Sequence, residues 1–459
     1  MPEPSALSLI PPAVVLVLAI WLRRPIFALI IGAVAGLLLI SPEQALGNFS
    51  DISLKVMQDE TIGWLILVCG SFGALIALLV RTGGALAFGR SALKLCKGRR
   101  SSLLMTCVLG LVIFIDDYLN ALTVGETMKR VTDRFKISRE MLAYVVDSTA
   151  APVCVLVPLS TWAVFFGGLL ESNGVADAGQ GVSVYMQAIP YMFYAWLSVI
   201  LVILVCMGVV PAFGPMRKAE NLARHGSAGA MHVGEFAPEH NYSMKAVEAE
   251  MEHADKEGGK LYNFLAPLLF LVAATVYFDI DVWKGMLATL VFIVPFYLIQ
   301  RLMPMSEMFE EMMDGFKTML PAIGTVIAAF VFKEVCDQLH LSLYVIDSLK
   351  PYMTPQMMPA IVFLSMAILA FATGSSWGIF AVTIPIVMPL AHALDADIPL
   401  VLGALLSASA FGSQACFYSD STVLAAQGSG CDLISHAVTQ LPYALIAAAL
   451  AFVGFLLMA

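Results

Sequence analysis

Apolar stretches of membrane-crossing length recur from one end of this chain to the other, and no other feature limits its fold as strongly. They fall at about 7–22, 25–41, 62–80, 101–128, 140–170, 183–213, 261–278, 284–300, 316–334, 356–393, 398–427 and 437–458. A helix needs about 20 mostly apolar residues to cross the hydrocarbon core of a bilayer. The expected fold is an all-α integral membrane protein, with the lipid bilayer as its first partner. Composition agrees: of 459 residues 59% are hydrophobic and 13% charged, where soluble domains carry about 25% charged residues. The net charge of −9, with no basic stripe of interleaved aromatics, argues against a nucleic-acid partner.

The N-terminal apolar run, Leu7 to Leu22, follows the acidic Glu3 and precedes Arg23 and Arg24. That is the reverse of a cleavable signal peptide. Cys69, Cys107, Cys154, Cys206, Cys336 and Cys416 lie in apolar runs without metal-ligand spacing, so buried thiols and no metal cofactor are expected. The long polar stretch, 214–260, is rich in Glu, His, Ala and Gly and lacks apolar periodicity. It reads as a cytoplasmic linker between two parts of similar length.

Those parts correspond in order. Pro11 matches Pro267, Asp116-Asp117-Tyr118 falls opposite Ser375-Ser376-Trp377, and Ser160-Thr161 opposite Ser421-Thr422, at offsets of about 256 to about 261. On that register Leu159 stands where Asp420 does, leaving Asp420 without a counterpart. The expected organisation is a first repeat over 1–213 and a second over 261–459. Polar residues interrupt both copies at matching places. Aspartate inside a spanning segment costs about 2.5–3.5 kcal/mol on insertion scales and marks an ion or proton pathway, and twinned interrupted spans point to a secondary transporter.

Charge placement orients the copies. Lys94, Lys97, Arg99 and Arg100 precede segment 101–128, and Lys129, Arg130, Arg134 and Lys136 follow it. By the positive-inside rule both flanks are cytoplasmic, so this segment is expected to be a re-entrant hairpin with Asp116, Asp117 and Asn120 near its tip. Beyond Lys350 there is no Lys or Arg, which fits a second hairpin, 356–393, entering from the other side with Thr373, Ser375 and Ser376 at its tip. The repeats are then inverted, with about ten spans and two hairpins. Segments 140–170 and 398–427 are expected to be broken spans, the first carrying Pro152 and Pro158.

Hard oxygen ligands suit a small hard cation. Asp116, Asp117, Asp147 and Asp420 supply carboxylates for Na+. Asn120, Ser148, Thr149, Ser160, Thr161, Thr373, Ser375, Ser376, Ser421 and Thr422 supply neutral oxygens. Burial and a like-charged neighbour favour protonation of a carboxylate, so H+ and Na+ would compete for the same oxygens. Alternatively, one of Asp116 and Asp117 caps a helix N-terminus while the other faces cytosolic water. His436 and His392 flank apolar segments and read as interfacial. No nucleophile paired with a base suggests an enzyme.

At Phe114 to Gly125, Ile137 to Glu140, Val146 to Pro152, Pro158 to Trp162, Ala372 to Gly378 and Ser419 to Thr422, the chain resembles the NhaC-type Na+/H+ antiporter family. The resemblance implies inverted repeats, two hairpins, a mobile transport unit and a scaffold that dimerises, in a bacterial inner membrane. It also implies alternating access, with Na+ and H+ as the transported species. Relatives that couple ions to malate, lactate or amino acids keep a second reading open. In it, an anionic group sits at hairpin helix N-termini.

Overall fold

The computed structural model describes residues 5–22, 25–84, 87–88, 91, 95–114, 116–158, 160–225, 260–279, 281–349, 351, 354–374 and 376–458. Arg23, Arg24, Lys94, Leu159, Lys350, Ser375 and linker residues 226–259 lie outside them, as do the side chains of Ser376 and Trp377.

Among the described residues every regular element is a helix. The first part contains α1 (Ile10–Leu22), α2 (Pro25–Ile40), α3 (Ala45–Met57), α4 (Glu60–Arg81), α5 (Arg99–Val112), α6 (Asp117–Arg134), α7 (Arg139–Thr149), α8 (Ala151–Leu156), α9 (Thr161–Ser172), α10 (Gly181–Ala188), α11 (Phe193–Met207) and α12 (Gly214–Arg224). The second contains α13 (Tyr262–Tyr277), α14 (Val282–Ile299), α15 (Met305–Thr318), α16 (Leu320–Gln338), α17 (Leu341–Leu349), α18 (Met358–Thr373), α19 (Ser376–Ala393), α20 (Ile398–Ala415), α21 (Asp420–Ser429) and α22 (Leu433–Met458).

Four helical stretches among the described residues are long and apolar enough to cross a membrane: Ile62–Arg81, Val282–Ile299, Ile398–Ala415 and Leu433–Met458. Two bent pairs raise that to 6, one of them Arg139–Leu156 with Thr161–Glu171 at 45°. This is fewer than the ten spans expected from the apolar runs. Several of those runs fold as shorter helices such as Ile26–Ile40, Tyr262–Tyr277 and Met358–Thr373, and others are interrupted where polar residues fall. Trp21, Leu269, Val291 and Leu457 project outward from α1, α13, α14 and α22, as a lipid-facing shell requires. Only 33% of the Val282–Ile299 window is buried against 89% of Ile398–Ala415, so α14 is peripheral and α20 lies at the centre.

Helix ends explain where the interior is broken. Asp116 caps α6 by accepting from the Leu119 N–H at 2.9 Å, and the chain between α5 and α6 is irregular. Arg99, the first residue of α5, reaches the Lys136 carbonyl just past α6 at 3.4 Å, so the two helices leave and return at one basic end. Pro152 opens α8, and a proline there cannot extend the helix before it.

The interruption after α8 has a close copy after α20. Ser160 Oγ donates to the Cys154 carbonyl six residues back at 2.6 Å and caps the Ala163 N–H at 3.2 Å. Ser419 Oγ donates to the Ser413 carbonyl, also six back, at 2.5 Å and caps Thr422 at 3.4 Å. Upstream, Ser138 and Asp397 cap α7 and α20. Each of these pairs, Cys154 with Ser413 included, lies 259 positions apart along the chain. The constant separation moves the expected register by two residues. Ser160 corresponds to Ser419, and Asp420 corresponds to Thr161 rather than to Leu159.

Helix α6 crosses α21 so closely that both need glycine. A Cβ on Gly125 would stand 2.6 Å from the Gly428 carbonyl carbon and 2.8 Å from the Ser429 nitrogen, and backbone atoms there cannot move aside. Gly125→Ala is expected to destabilise the protein by about 1–3 kcal/mol, the usual cost of overpacking. Gly168→Ala on α9, where a Cβ meets nothing within 4 Å, should cost nothing. Thermal unfolding of both variants in detergent checks the contrast.

Candidate functional site

The N-terminal turns of α6, α9 and α21 meet in the interior. Asp116 Oδ2 accepts from Thr161 Oγ1 at 3.0 Å, joining the first turns of α6 and α9. Tyr118 on α6 donates its hydroxyl to Asp420 Oδ2 on α21. Asp420 Oδ1 accepts from the Ser421 N–H at 2.8 Å. Asp116, Asp117 and Asp420 are all buried, and the charged groups acting on Asp117 are the other two. Neither Asp117 oxygen receives a hydrogen bond of ordinary geometry, although the Trp162 indole lies beside it.

Each N-terminus carries the equivalent of roughly +0.5 charge. Three of them against three ionised carboxylates leave roughly −1.5. One monovalent cation or one proton reduces that imbalance; both together slightly overshoot it. Buried, uncovered carboxylate oxygen is the chemistry that takes up either. Among the described residues no three of His, Cys, Asp and Glu are grouped so that they could hold a metal ion between them.

Asp147, on α7, lies in a second polar centre beside the first. Its Oδ1 accepts from Ser421 Oγ at 3.0 Å, and its Oδ2 from Gln440 Nε2 at 2.6 Å and His436 Nε2 at 3.2 Å. Thr422 Oγ1 is 3.4 Å from the same oxygen and donates to the Ser413 carbonyl at 2.9 Å. Ser148 Oγ accepts from Gln414 Nε2 at 2.6 Å, and Gln414 Oε1 accepts from Tyr194 and Ser198 at 2.6 and 2.8 Å.

Other predicted oxygens serve the backbone. Asn120 Nδ2 faces the carbonyls of Gly110, Ile113 and Thr149 at 2.7, 2.9 and 2.8 Å, tying the ragged ends of α5 and α7 together. Thr149 and Thr373 hydroxyls bond carbonyls of their own helices, to Val145 and Leu369, and Ser160 bridges its own break. In the second part Gly374, at φ +69°, turns the chain after α18, and a Cβ there would strike Tyr418 at 2.5 Å. Tyr418 donates to the Ala372 carbonyl at 2.6 Å. The turn is thereby fixed to the break between α20 and α21.

The profile of the Na+/H+ antiporter family matches residues 153–459. The chain belongs to that family. An uncharacterised protein of Haemophilus influenzae is 28% identical to this antiporter-family chain over 98% of it and 90% of the relative. A malate-2H+/Na+-lactate antiporter of Bacillus subtilis is 35% identical over 20% of each chain. This antiporter-family member is accordingly a multi-pass membrane transporter, and its apolar helices fit that class.

Tyr118, Trp162, Gln414 and Gln440 were not given a site role by sequence, and the interfacial reading of His436 is corrected: it is fully buried against Asp147. A signal existed. His436 and Gln440 are spaced i, i+4 on one face of an otherwise apolar span. The capping reading holds for Asp116 but not for its neighbour, since Asp117 is enclosed rather than in cytosolic water.

Removing the Asn120 amide, whose two N–H donors face three carbonyls, leaves two of those carbonyls short of a donor. Asn120→Ala is expected to lower stability by about 1–3 kcal/mol, measured by thermal unfolding in detergent.

Proposed function

We propose that this protein exchanges Na+ for H+ across a bacterial inner membrane by alternating access, with both ions competing for the carboxylates at the joined ends of α6, α9 and α21. The observation that carries this is Asp117, buried with neither oxygen properly bonded beside Asp116 and Asp420. An ionised carboxylate enclosed in that way is costly unless something positive meets it. Na+ supplies that charge in one half of the cycle and H+ in the other. Tyr118 and Thr161 are the neutral oxygens nearest the exchange.

In this reading the constant separation of helix caps reflects two inverted repeats, 1–213 and 261–459, joined by a cytoplasmic linker at 214–260. Pairs α5–α6 and α18–α19 are the re-entrant hairpins. α5, with 14 residues, is about 21 Å long, too short to cross a core of about 30 Å. The broken helices α7 to α9 and α20 to α21 complete the moving unit.

A second reading, exchange of small carboxylates driven by Na+ or H+, is favoured by the similarity to the malate-2H+/Na+-lactate antiporter of Bacillus subtilis. Helix N-termini could receive the anionic group, with the acidic cluster holding its accompanying cations.

The purified protein in vesicles loaded with a pH-sensitive dye is expected to release protons on a Na+ pulse without organic solute. Proton movement that requires malate or lactate would replace the first reading with the second. Asp117→Asn should reduce exchange to the level of protein-free vesicles while leaving insertion and the detergent elution profile unchanged. Wild-type exchange in that variant would remove Asp117 from the site.

A further inference from the structure

Asp147 and Asp117, both fully buried, are satisfied in two different ways. A carboxylate has about four lone-pair directions. At Asp147 they face Ser421 and Thr422 of α21 and His436 and Gln440 of α22, at 3.0, 3.4, 3.2 and 2.6 Å. At Asp117 none receives a hydrogen bond of ordinary geometry. A cation entering at Asp147 would have to displace protein donors from three turns; one entering at Asp117 displaces none. Resting on the antiporter reading above, we infer that Asp147 is the fixed centre of a hydrogen-bonded hub rather than a cargo ligand, and that His436 and Gln440 are positioning residues that act through it on the exchange site.

The path from hub to site is short. Gln440 Nε2 donates both to Asp147 and to the Gln414 carbonyl in the last turn of α20. One amide thus ties α22 to the near side of the α20–α21 interruption and, through Asp147, to its far side. Gln414 carries the connection on to Ser148 of α7 and to Tyr194 and Ser198 of α11. Ser421 and Thr422, held at Asp147, directly follow Asp420 in the first turn of α21. Asp420 takes the Tyr118 hydroxyl from the turn that carries Asp117. Loosening the hub therefore displaces Asp420 relative to Asp117 without removing any group from the exchange site.

The test uses full-length protein in vesicles, with initial proton flux measured against Na+ concentration. His436→Ala and Gln440→Ala should raise half-saturating Na+ about tenfold or more, the loss that follows from removing a hydrogen bond to a charged group, with a smaller fall in maximal rate. His436→Gln keeps an N–H donor of similar reach and should return half-saturation towards wild type. Asp147→Asn should retain measurable exchange where Asp117→Asn has none. Amide hydrogen exchange over residues 416–424 gives a readout that needs no cargo: both alanine variants should speed it, and Asp117→Asn should not. If Asp147→Asn is as inactive as Asp117→Asn and the segment stays protected in the alanine variants, the hub is overturned while the antiporter reading stands. If wild type carries an organic acid instead, that reading falls, and the same ranking of variants on the new flux, with the same hydrogen-exchange pattern, still decides the hub.

Discussion

An acidic side chain enclosed in protein without a hydrogen bond of ordinary geometry is the constraint from which the interior of this molecule follows. Asp117 cannot be stable there alone, because desolvated charge needs a partner. The neighbourhood offers no permanent one: its charged neighbours are Asp116 and Asp420. What it offers is three helix N-termini, which soften the charge without cancelling it. Bringing three such ends together requires helices that stop inside the protein. On the proposed exchange the interruptions after α5, α8 and α20 are part of the chemistry, and their exposed backbone groups must be covered by side chains. Asn120, Ser160 and Ser419 do that covering, which is why polar residues far outnumber those that can meet an ion.

That distinction sorts the oxygen-rich residues of the interior. Thr149, Thr373, Ser160 and Asn120 hold interrupted backbone in shape. Asp147 gathers donors from two helices and holds elements of both parts of the chain together. Asp116 is intermediate, since it caps α6 with one oxygen and takes Thr161 with the other. Of Asp116, Asp117, Asp147 and Asp420, Asp117 is the one whose oxygens receive no hydrogen bond of ordinary geometry. The tight crossing of α6 over α21 then fixes how near Asp117 and Asp420 stand, since two glycine backbones in contact leave no slack.

Helical class, membrane character and the places where helices break were legible in the sequence because each depends on local patterns: apolar length, proline and serine near a break, aspartate in apolar surroundings. Span number was less so, since hydropathy cannot tell a short helix inside a bundle from one that crosses. The partners of Asp147 were not legible at all. His436 and Gln440 lie 289 and 293 residues from it, and only folding brings α22 against α7. Register failed by two residues at the breaks because Ser-Thr recurs in both copies and masks the true alignment, whereas the capping hydrogen bonds fix it. Sequence also placed Asn120, Thr149, Ser160 and Thr373 among the oxygens of the ion site, whereas their side chains bond backbone carbonyls.

The corrected register exposes an asymmetry that bears on why one carboxylate stands open. Asp116 and Thr161 are bonded to one another in the first part. Their counterparts by position are Ser375 and Asp420, a hydroxyl and a carboxyl in reversed order. Each part thus supplies one acid and one hydroxyl to equivalent places, so those two acids are balanced by design of the repeat. Asp117 falls opposite Ser376 and has no acidic twin. Asp147, opposite Leu406, is likewise unmatched, but donors enclose it, whereas Asp117 is seated where the two parts touch through Tyr118 and Asp420. Of these two unmatched acids Asp117 is the one without a hydrogen bond of ordinary geometry, which is why the proposed uptake of one positive ion at a time is assigned to this contact between the two parts rather than to Asp147.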